Sequence, residues 1–328
     1  MNLQITIIGL GQIGTSIGLA LEKYSKEILR VGHDKNMATA KNAQKLGAVD
    51  KVNRNLPSSV RDADIIILSL PFSEVRDTLG YIALDVKEDA VILDTAPAKA
   101  ATHAWVNELL PAGRAYVGLA PVINPIYLQD EEFGINAARE DLFENGVTMI
   151  AAPPSTSETA MKVATTLVGL IGSQPLFADI AEVDGVGSTV QLLPQLTAAA
   201  LLNATVDRPG WGEARKIAGR AYAETTRAIL HQKGAASLGD AALANRENLS
   251  YKLDGMIASI QQLKESLDAE DKDALLEQLT QAAEGRENWL EERNSADWLF
   301  AGEGQTKPAE MMNMTAQLFG FRQRKPRE

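Results

Sequence analysis

Three groups of residues in this chain have types and spacings suited to chemistry. The first is Gly9-Leu-Gly11-Gln12-Ile13-Gly14, with Asp34 following 20 residues after the last glycine. Between a strand and a helix, such a run lets the backbone turn tightly, approach a pyrophosphate and pack helix on strand. The unpaired N–H groups of the helix start then face the phosphates. Asp34 can accept hydrogen bonds from an adenosine ribose and repels a 2′-phosphate. That favours NAD, with NADP as the alternative because Lys35 stands next to it. His33 is expected to flank the adenosine. The second group is Asp94-Thr-Ala-Pro-Ala-Lys99. Lys99 can bind an acid, serve as a base if desolvated, or close a local ion pair at a helix start. The third is Arg227, with His231 four residues later on the same helical face if the helix continues. An arginine suits a bidentate carboxylate clamp, and an imidazole titrates near neutrality. Their plain readings are a surface arginine and a solvent-facing or helix-end histidine.

These groups need elements to hold them. Leu3–Ile8, Ile28–His33, Ala63–Leu70, Ala90–Asp94, Ala115–Leu119 and Val147–Ala151 are expected as strands, with Val49–Val52 and Gln174–Phe177 as shorter ones. Helices are expected over Ile13–Tyr24, Met37–Leu46, Val75–Tyr81 and Ala98–Leu110. Another opens at a capping box, Ser155-x-x-Glu158, and runs to Leu170. Continuous apolar strands alternating with helices predict a doubly wound parallel sheet of the Rossmann type. Ser69-Leu70-Pro71 would then lie at the carboxyl edge of that sheet, beside the cofactor; a plain strand stop is the other reading. From Glu182 the β-branched runs end, and Val190–Ala204, Ala214–Leu230, Leu238–Leu263 and Asp271–Glu291 carry helical spacing. The predicted division is a dinucleotide-binding domain over residues 1–180 and a helical substrate and dimerisation domain over 181–328.

Composition removes several classes of function. The 328 residues include no cysteine and three histidines, so thiolate catalysis and cysteine or histidine-rich metal sites are not expected. The net charge of −11 disfavours nucleic acid as a partner. The basic run Arg322–Arg327 reads as a solvated tail. No apolar run approaches a membrane span and the N-terminus lacks a basic leader, so the expected location is cytoplasmic.

Several further segments carry a family resemblance. The opening I-I-G-L-G-Q-I-G-T-S-I is close to I-x-G-x-G-L-I-G-G-S-L of the prephenate and arogenate dehydrogenases. Asp94-Thr-Ala-Pro-Ala-Lys99 resembles that family's D-x-x-S-x-K, and Val117-Gly-Leu-Ala-Pro121 stands where it has G-G-H-P-M. Leu142-Phe-Glu-Asn145 matches its L-F-E-N. Ala181-Glu-Val-Asp184 resembles its E-H-D, and Leu192-Leu-Pro194-Gln195 its H-L-P-H. Glu224-Thr-Thr-Arg227 resembles D-x-T-R, and Ala244-Asn245-Arg246 resembles A-N-R. The matches occur in the family's order over most of the chain.

The resemblance implies a Rossmann domain followed by a helical dimerisation domain, and hence a homodimer. It implies oxidation of a ring alcohol by hydride transfer to a nicotinamide with loss of the ring carboxylate, a step of tyrosine biosynthesis. In the family a histidine takes the hydroxyl proton, a serine supports it, and the arginine of the T-R segment, here Arg227, holds a substrate carboxylate. The chain departs from the pattern at the chemistry. Ala120 stands at the base position, Pro97 at the serine, Val183 at the E-H-D histidine, and Leu192 and Gln195 at the two histidines of H-L-P-H. None of these side chains moves a proton. Lys99 and His231 are therefore the candidate catalytic residues. Arg227, Asn124 and Gln195 are the candidate contacts to a carboxylate substrate. Asn124 can orient a substrate or close a loop turn, and His103 is expected to be structural. Two rivals remain. One is a catalytically silent dinucleotide-binding sensor or subunit. The other is a dehydrogenase or reductase for a different acid, of the β-hydroxyacid or imine-reductase type.

Overall fold

The computed structural model describes residues 3–229 and 234–296 of the chain. His231 and the basic tail lie outside the described residues. Two compact units emerge. One holds the described residues of Met1–Leu70, Glu74–Val183 and Glu284–Glu328; the other holds Pro71–Ser73 and the described residues of Asp184–Ala283.

The first unit is built on eight strands: β1 (Leu3–Ile8), β2 (Ile28–His33), β3 (Lys51–Val52), β4 (Ile65–Leu68), β5 (Val91–Asp94), β6 (Ala115–Pro121), β7 (Val147–Ala151) and β8 (Gln174–Ala178). Their order is β3-β2-β1-β4-β5-β6-β7-β8. β4 and β5 are buried at every residue. That is the reason β4 is continuously apolar and β5 is so up to Asp94: helices cover both faces of the sheet. The pairings β1–β2, β1–β4, β4–β5 and β5–β6 are parallel. Strand order reverses direction between β1 and β4, the topological switch where ligands of such sheets bind.

The predicted doubly wound parallel sheet is present, with one antiparallel pairing. The sheet is not wholly parallel, because β6 pairs with β7 antiparallel, Ala120 opposite Met149. The segment joining them holds only short 3-10 turns, Pro125–Tyr127 and Gly134–Ala137. It lacks the crossover helix that would return the chain in the same direction.

Helix α1 (Gln12–Ala20) follows β1, and α2 (Met37–Lys45) follows β2 with Asn36 as its cap. A short α3 (Leu56–Val60), not foreseen, starts at Asn55, whose side chain accepts the Ser58 N–H. Helix α4 (Phe72–Ile82) is longer than the one or two turns expected. Helix α5 covers Lys99–Leu109, and α6 covers Glu158–Leu170. Ser157, rather than Ser155, caps α6, its hydroxyl accepting the Ala160 N–H at 3.2 Å.

The second unit is helical. Helix α7 (Ile180–Gly187) runs into one wide π turn, Ser188–Leu192, and then α8 (Leu193–Thr205), with Pro194 in the first turn. The expected helix over Ala214–Leu230 is broken into α9 (Trp211–Ile217) and α10 (Arg220–Thr226) at Gly219. The long helix expected from Leu238 is divided into α11 (Ala235–Ala244) and α12 (Arg246–Asp268). The break is Asn245. Its amide donates to the Asp184 carbonyl and to Ser188 Oγ, both at 2.7 Å. Two sequence landmarks 61 residues apart therefore meet in one buried hydrogen-bonded knot. Helix α13 spans Lys272–Ser295. Among the described residues no helix is long and apolar enough to cross a membrane.

Candidate active site

The glycine turn stands between β1 and α1, at the switch point. Gly9 has φ 93, a left-handed conformation that suits glycine, and a Cβ there would fall 2.2 Å from the Ser69 carbonyl oxygen. This close approach brings the ends of β1 and β4 together. A Cβ on Gly14 would meet the Gly9 carbonyl oxygen at 2.0 Å, so Gly14 is required by the packing of α1 on the turn. Gly11 differs: φ is −76, which any residue adopts, and a Cβ there meets nothing within 4 Å. Neither strain nor packing demands a glycine at 11. The space it leaves suits a group from outside the chain. No side chain caps α1, so the N–H groups of its first turn, including those of Gln12 and Ile13, have no partner within the helix. Backbone donors, a helix dipole and free space are together what could hold a phosphate.

Asp34 follows β2 and is half-buried. One carboxylate oxygen accepts the Leu10 N–H at 2.9 Å and the other the Asn36 N–H at 2.7 Å. Two anchored oxygens with lone pairs to spare fit a ribose hydroxyl donor. Lys35 pairs with Glu74 on α4. His33 Nδ1 lies 2.9 Å from the Asn53 carbonyl oxygen. Across the switch, Ser69 is half-buried and its N–H donates to the Ile8 carbonyl at 2.8 Å. Leu70 is half-buried and Pro71 is exposed before α4. Thr95 was not singled out from the sequence. Its hydroxyl lies 3.2 Å from the Leu68 carbonyl and 3.4 Å from Ser69 Oγ, at the same carboxyl edge. The signal was there, a hydroxyl directly after Asp94 at the end of β5.

Gln12 carries a further contact. Its amide donates to the Ala137 carbonyl at 3.3 Å, and Ser16 accepts the Arg139 N–H at 3.0 Å. The 125–141 segment is thereby laid against the start of α1. Arg139 ties that segment together through Asp130 and Glu132. Tyr127 donates to Asp141 at 2.7 Å, which pushes the phenol up to about 12.

Lys99 is 2% exposed, and Asp94 is fully buried. The ammonium donates to the Asp94 carbonyl at 2.8 Å, to Asp94 Oδ2 at 3.3 Å and to the Ala96 carbonyl. The Tyr116 hydroxyl lies 3.3 Å from both Asp94 Oδ2 and the Lys99 carbonyl. Gly118 is needed opposite, since a Cβ there would lie 2.7 Å from Lys99 Cδ. Ala98, which caps α5, is held left-handed at φ 61, at a cost of about 1–2 kcal/mol for a residue with a Cβ. The lysine bonds over-determine this turn. Such an ammonium, with an acceptor for each proton, is an ion-pair anchor; a base needs an open lone pair.

Tyr116, Gly118 and Ala120 share one face of β6 by strand periodicity. Ala120 is thus one step beyond the lysine anchor and offers a methyl group. Asn124 is 3% exposed. Its amide oxygen accepts the Ile126 N–H and its nitrogen donates to the Asp141 carbonyl, both at 3.3 Å. That is a loop cap, the plain reading. The same loop is held by buried Arg293, which donates to the Ile123 carbonyl. His103 stacks on Tyr116 with centroids 5.6 Å apart, and burial pushes its imidazole below the ordinary value. In the second unit, Gln195 donates to the Gln191 carbonyl one turn back at 2.8 Å. Arg227 is half-buried at the end of α10. No cluster of potential metal ligands occurs among the described residues.

Comparison with known proteins agrees with this arrangement. Residues 17–175 match the family model described as prephenate dehydrogenase, nucleotide-binding domain. Residues 179–281 match the one described as prephenate dehydrogenase, dimerization domain. The prephenate dehydrogenase of Bacillus subtilis is 25% identical over 287 residues, covering 86% of this chain and 75% of that protein. The cyclohexadienyl dehydrogenase of Zymomonas mobilis is 23% identical over 284 residues, covering 86% and 94%. In fold, the chain is similar to the crystal structure of A. aeolicus prephenate dehydrogenase in complex with hydroxyphenyl propionate and NAD+. The TM-score is 0.75 at 22% identity, over 88% of this chain and 98% of that one. With consecutive matches to both of the family's domains, the chain belongs to the prephenate dehydrogenase family.

Proposed function

We propose that this protein is an NAD-dependent dehydrogenase of a cyclic, carboxylate-bearing alcohol, prephenate or arogenate. The single observation that carries the dinucleotide half is Gly11, a glycine required by neither backbone nor packing, in front of an uncapped helix start. When bound, NAD supplies a hydride acceptor at its nicotinamide. The chain's own residues divide the rest. The first turn of α1 holds the pyrophosphate, and Asp34 accepts from the ribose. Arg227 clamps a substrate carboxylate, with an amide contact from Gln195. Asn124 acts from further back, by shaping the loop after Ala120.

The proton needs a base. Ala120 has none to offer, and the Lys99 ammonium is saturated by Asp94 and Ala96. Of the three histidines, His33 is turned to the Asn53 carbonyl and His103 stacks in α5. Helix α10 ends at Thr226, so the helical spacing from Arg227 does not apply; His231 is the remaining imidazole of the sequence, and we assign it the base by elimination. We also propose that the domain boundary lies near residue 180 and that the protein acts as a homodimer. Val190, Ile217, Leu243, Tyr251 and Ile257 of the helical unit are exposed, a burden of apolar surface that a second copy would cover.

The test is steady-state oxidation of prephenate and of arogenate, each with NAD and NADP, followed by absorbance of the reduced nicotinamide. Turnover is expected with NAD and one of the two acids. The second reading, a dinucleotide-binding protein without turnover, is favoured by the methyl group at Ala120. Cofactor binding with no oxidation of either acid would establish it instead.

A further inference from the structure

We propose that Glu74 sets the choice between the two dinucleotides, by holding Lys35 away from the adenosine ribose. The proposal rests on the reading that the Gly9–Gly14 turn binds a dinucleotide. The two cofactors differ at one point, a ribose 2′-hydroxyl or a 2′-phosphate. The hydroxyl wants an acceptor, and Asp34 is one, fixed through the Leu10 and Asn36 N–H groups. The phosphate brings about two negative charges and wants a cation that outweighs Asp34.

A cation is present beside Asp34. Lys35 is 77% exposed on a flexible stem, and its ammonium is paired with Glu74 Oε1. Glu74 is in the first turn of α4, where the helix dipole favours a negative charge. The pair therefore does two things. It occupies the lysine, and it adds a second carboxylate to the region that a 2′-phosphate would enter. Replacing Glu74 with a neutral amide removes one negative charge and releases one positive charge. Arg54 is the other cation to consider. It is exposed, directly after the Asn53 whose N–H donates to Gly32 on β2.

The experiment is calorimetric titration of the full chain with NAD and with NADP. Four forms are compared: wild type, Glu74→Gln, the double variant Lys35→Gln/Glu74→Gln, and Arg54→Gln/Glu74→Gln. An exposed pair has a modest effect, so Glu74→Gln is expected to bind NADP about fivefold more tightly, with NAD changed less than about twofold. The gain is expected to shrink with added salt. It should vanish in the Lys35 double variant and persist in the Arg54 one. NADP affinity unchanged in Glu74→Gln would overturn the proposal, as would a gain that survives loss of Lys35. If no form binds either dinucleotide, the dinucleotide reading itself fails and the proposal with it. NAD binding with an unmoved ratio overturns the proposal alone.

Discussion

Gly11 and Gly14 are two residues of one motif, and the structure gives them opposite reasons for being glycine. Replacing Gly11 with alanine puts a methyl into open space, at a φ of −76 that alanine adopts freely. Stability then feels two small opposed effects. Alanine is a poorer N-cap than glycine by roughly 0.5–1 kcal/mol, and it removes about 0.4–1 kcal/mol of unfolded-state freedom. The melting temperature should stay within about 2 °C of wild type. On the proposed reading, the same methyl stands where a pyrophosphate approaches the backbone. Losing two hydrogen bonds to charged oxygens, at about 1.5–3 kcal/mol each, lowers NAD affinity at least about a hundredfold. In Gly14→Ala the methyl instead meets a backbone oxygen at 2.0 Å. Helix and turn must separate, which costs about 1–3 kcal/mol by analogy with overpacking and several degrees of melting temperature. Thermal unfolding with and without NAD reads both effects, because a ligand at 100 times its Kd adds about 2.7 kcal/mol to wild type. Gly11→Ala should melt like wild type without NAD and gain little from it. A normal NAD shift in Gly11→Ala, or a melting loss equal to that of Gly14→Ala, would refute the assignment.

Three other expectations follow from the same geometry. Lys99→Met leaves the Asp94 carboxylate buried without its cation, so urea unfolding should show a loss of about 3–5 kcal/mol; a loss under about 1 kcal/mol would mean the pair is not the anchor of the 94–99 turn. Burial pushes the Asp50 carboxyl up, but the Arg30 hydrogen bonds and charge outweigh this and hold it below the ordinary range. Its contribution to stability is therefore complete above the unfolded value near 4 and disappears as pH falls through the lower folded value; Asp50→Asn should flatten the acid limb of a stability–pH curve, and an unchanged limb would count against the pairing. Arg227→Gln should raise KM for the acid substrate by about 10- to 100-fold while leaving NAD affinity alone, and an unchanged KM would remove Arg227 from the site.

Much of the first unit was legible because each signal is local. β1, β2 and β7 fall on the expected residues, since each is a short run rich in apolar and β-branched residues bounded by turn residues. The glycine turn and Asp34 were legible for the same reason: spacing along one βαβ unit fixes their meeting. What was lost depends on distant partners. The reversal at β7 comes from the connection after β6, which sequence periodicity does not describe. The break in the helix at Asn245 comes from two acceptors on the Asp184–Ser188 turn. Ser155 and Ser157 are both good caps, and only the path after Pro153–Pro154 selects Ser157. Lys99 could equally have been a base or an anchor until its acceptors were seen. Glu74 carried no signal at all, being one acid among many on an amphipathic helix.

The central claim is that this chain oxidises its acid substrate with an imidazole supplied from outside the family's base position. The most direct measurement is the pH dependence of kcat/KM for NAD-dependent oxidation of prephenate or arogenate, in wild type and in His231→Asn. The account predicts a wild-type rate that falls at acid pH, where an imidazole is protonated and cannot accept the hydroxyl proton, and a loss of about a hundredfold or more in His231→Asn at unchanged NAD affinity. A His231→Asn variant that turns over at the wild-type rate with the same pH profile would contradict it.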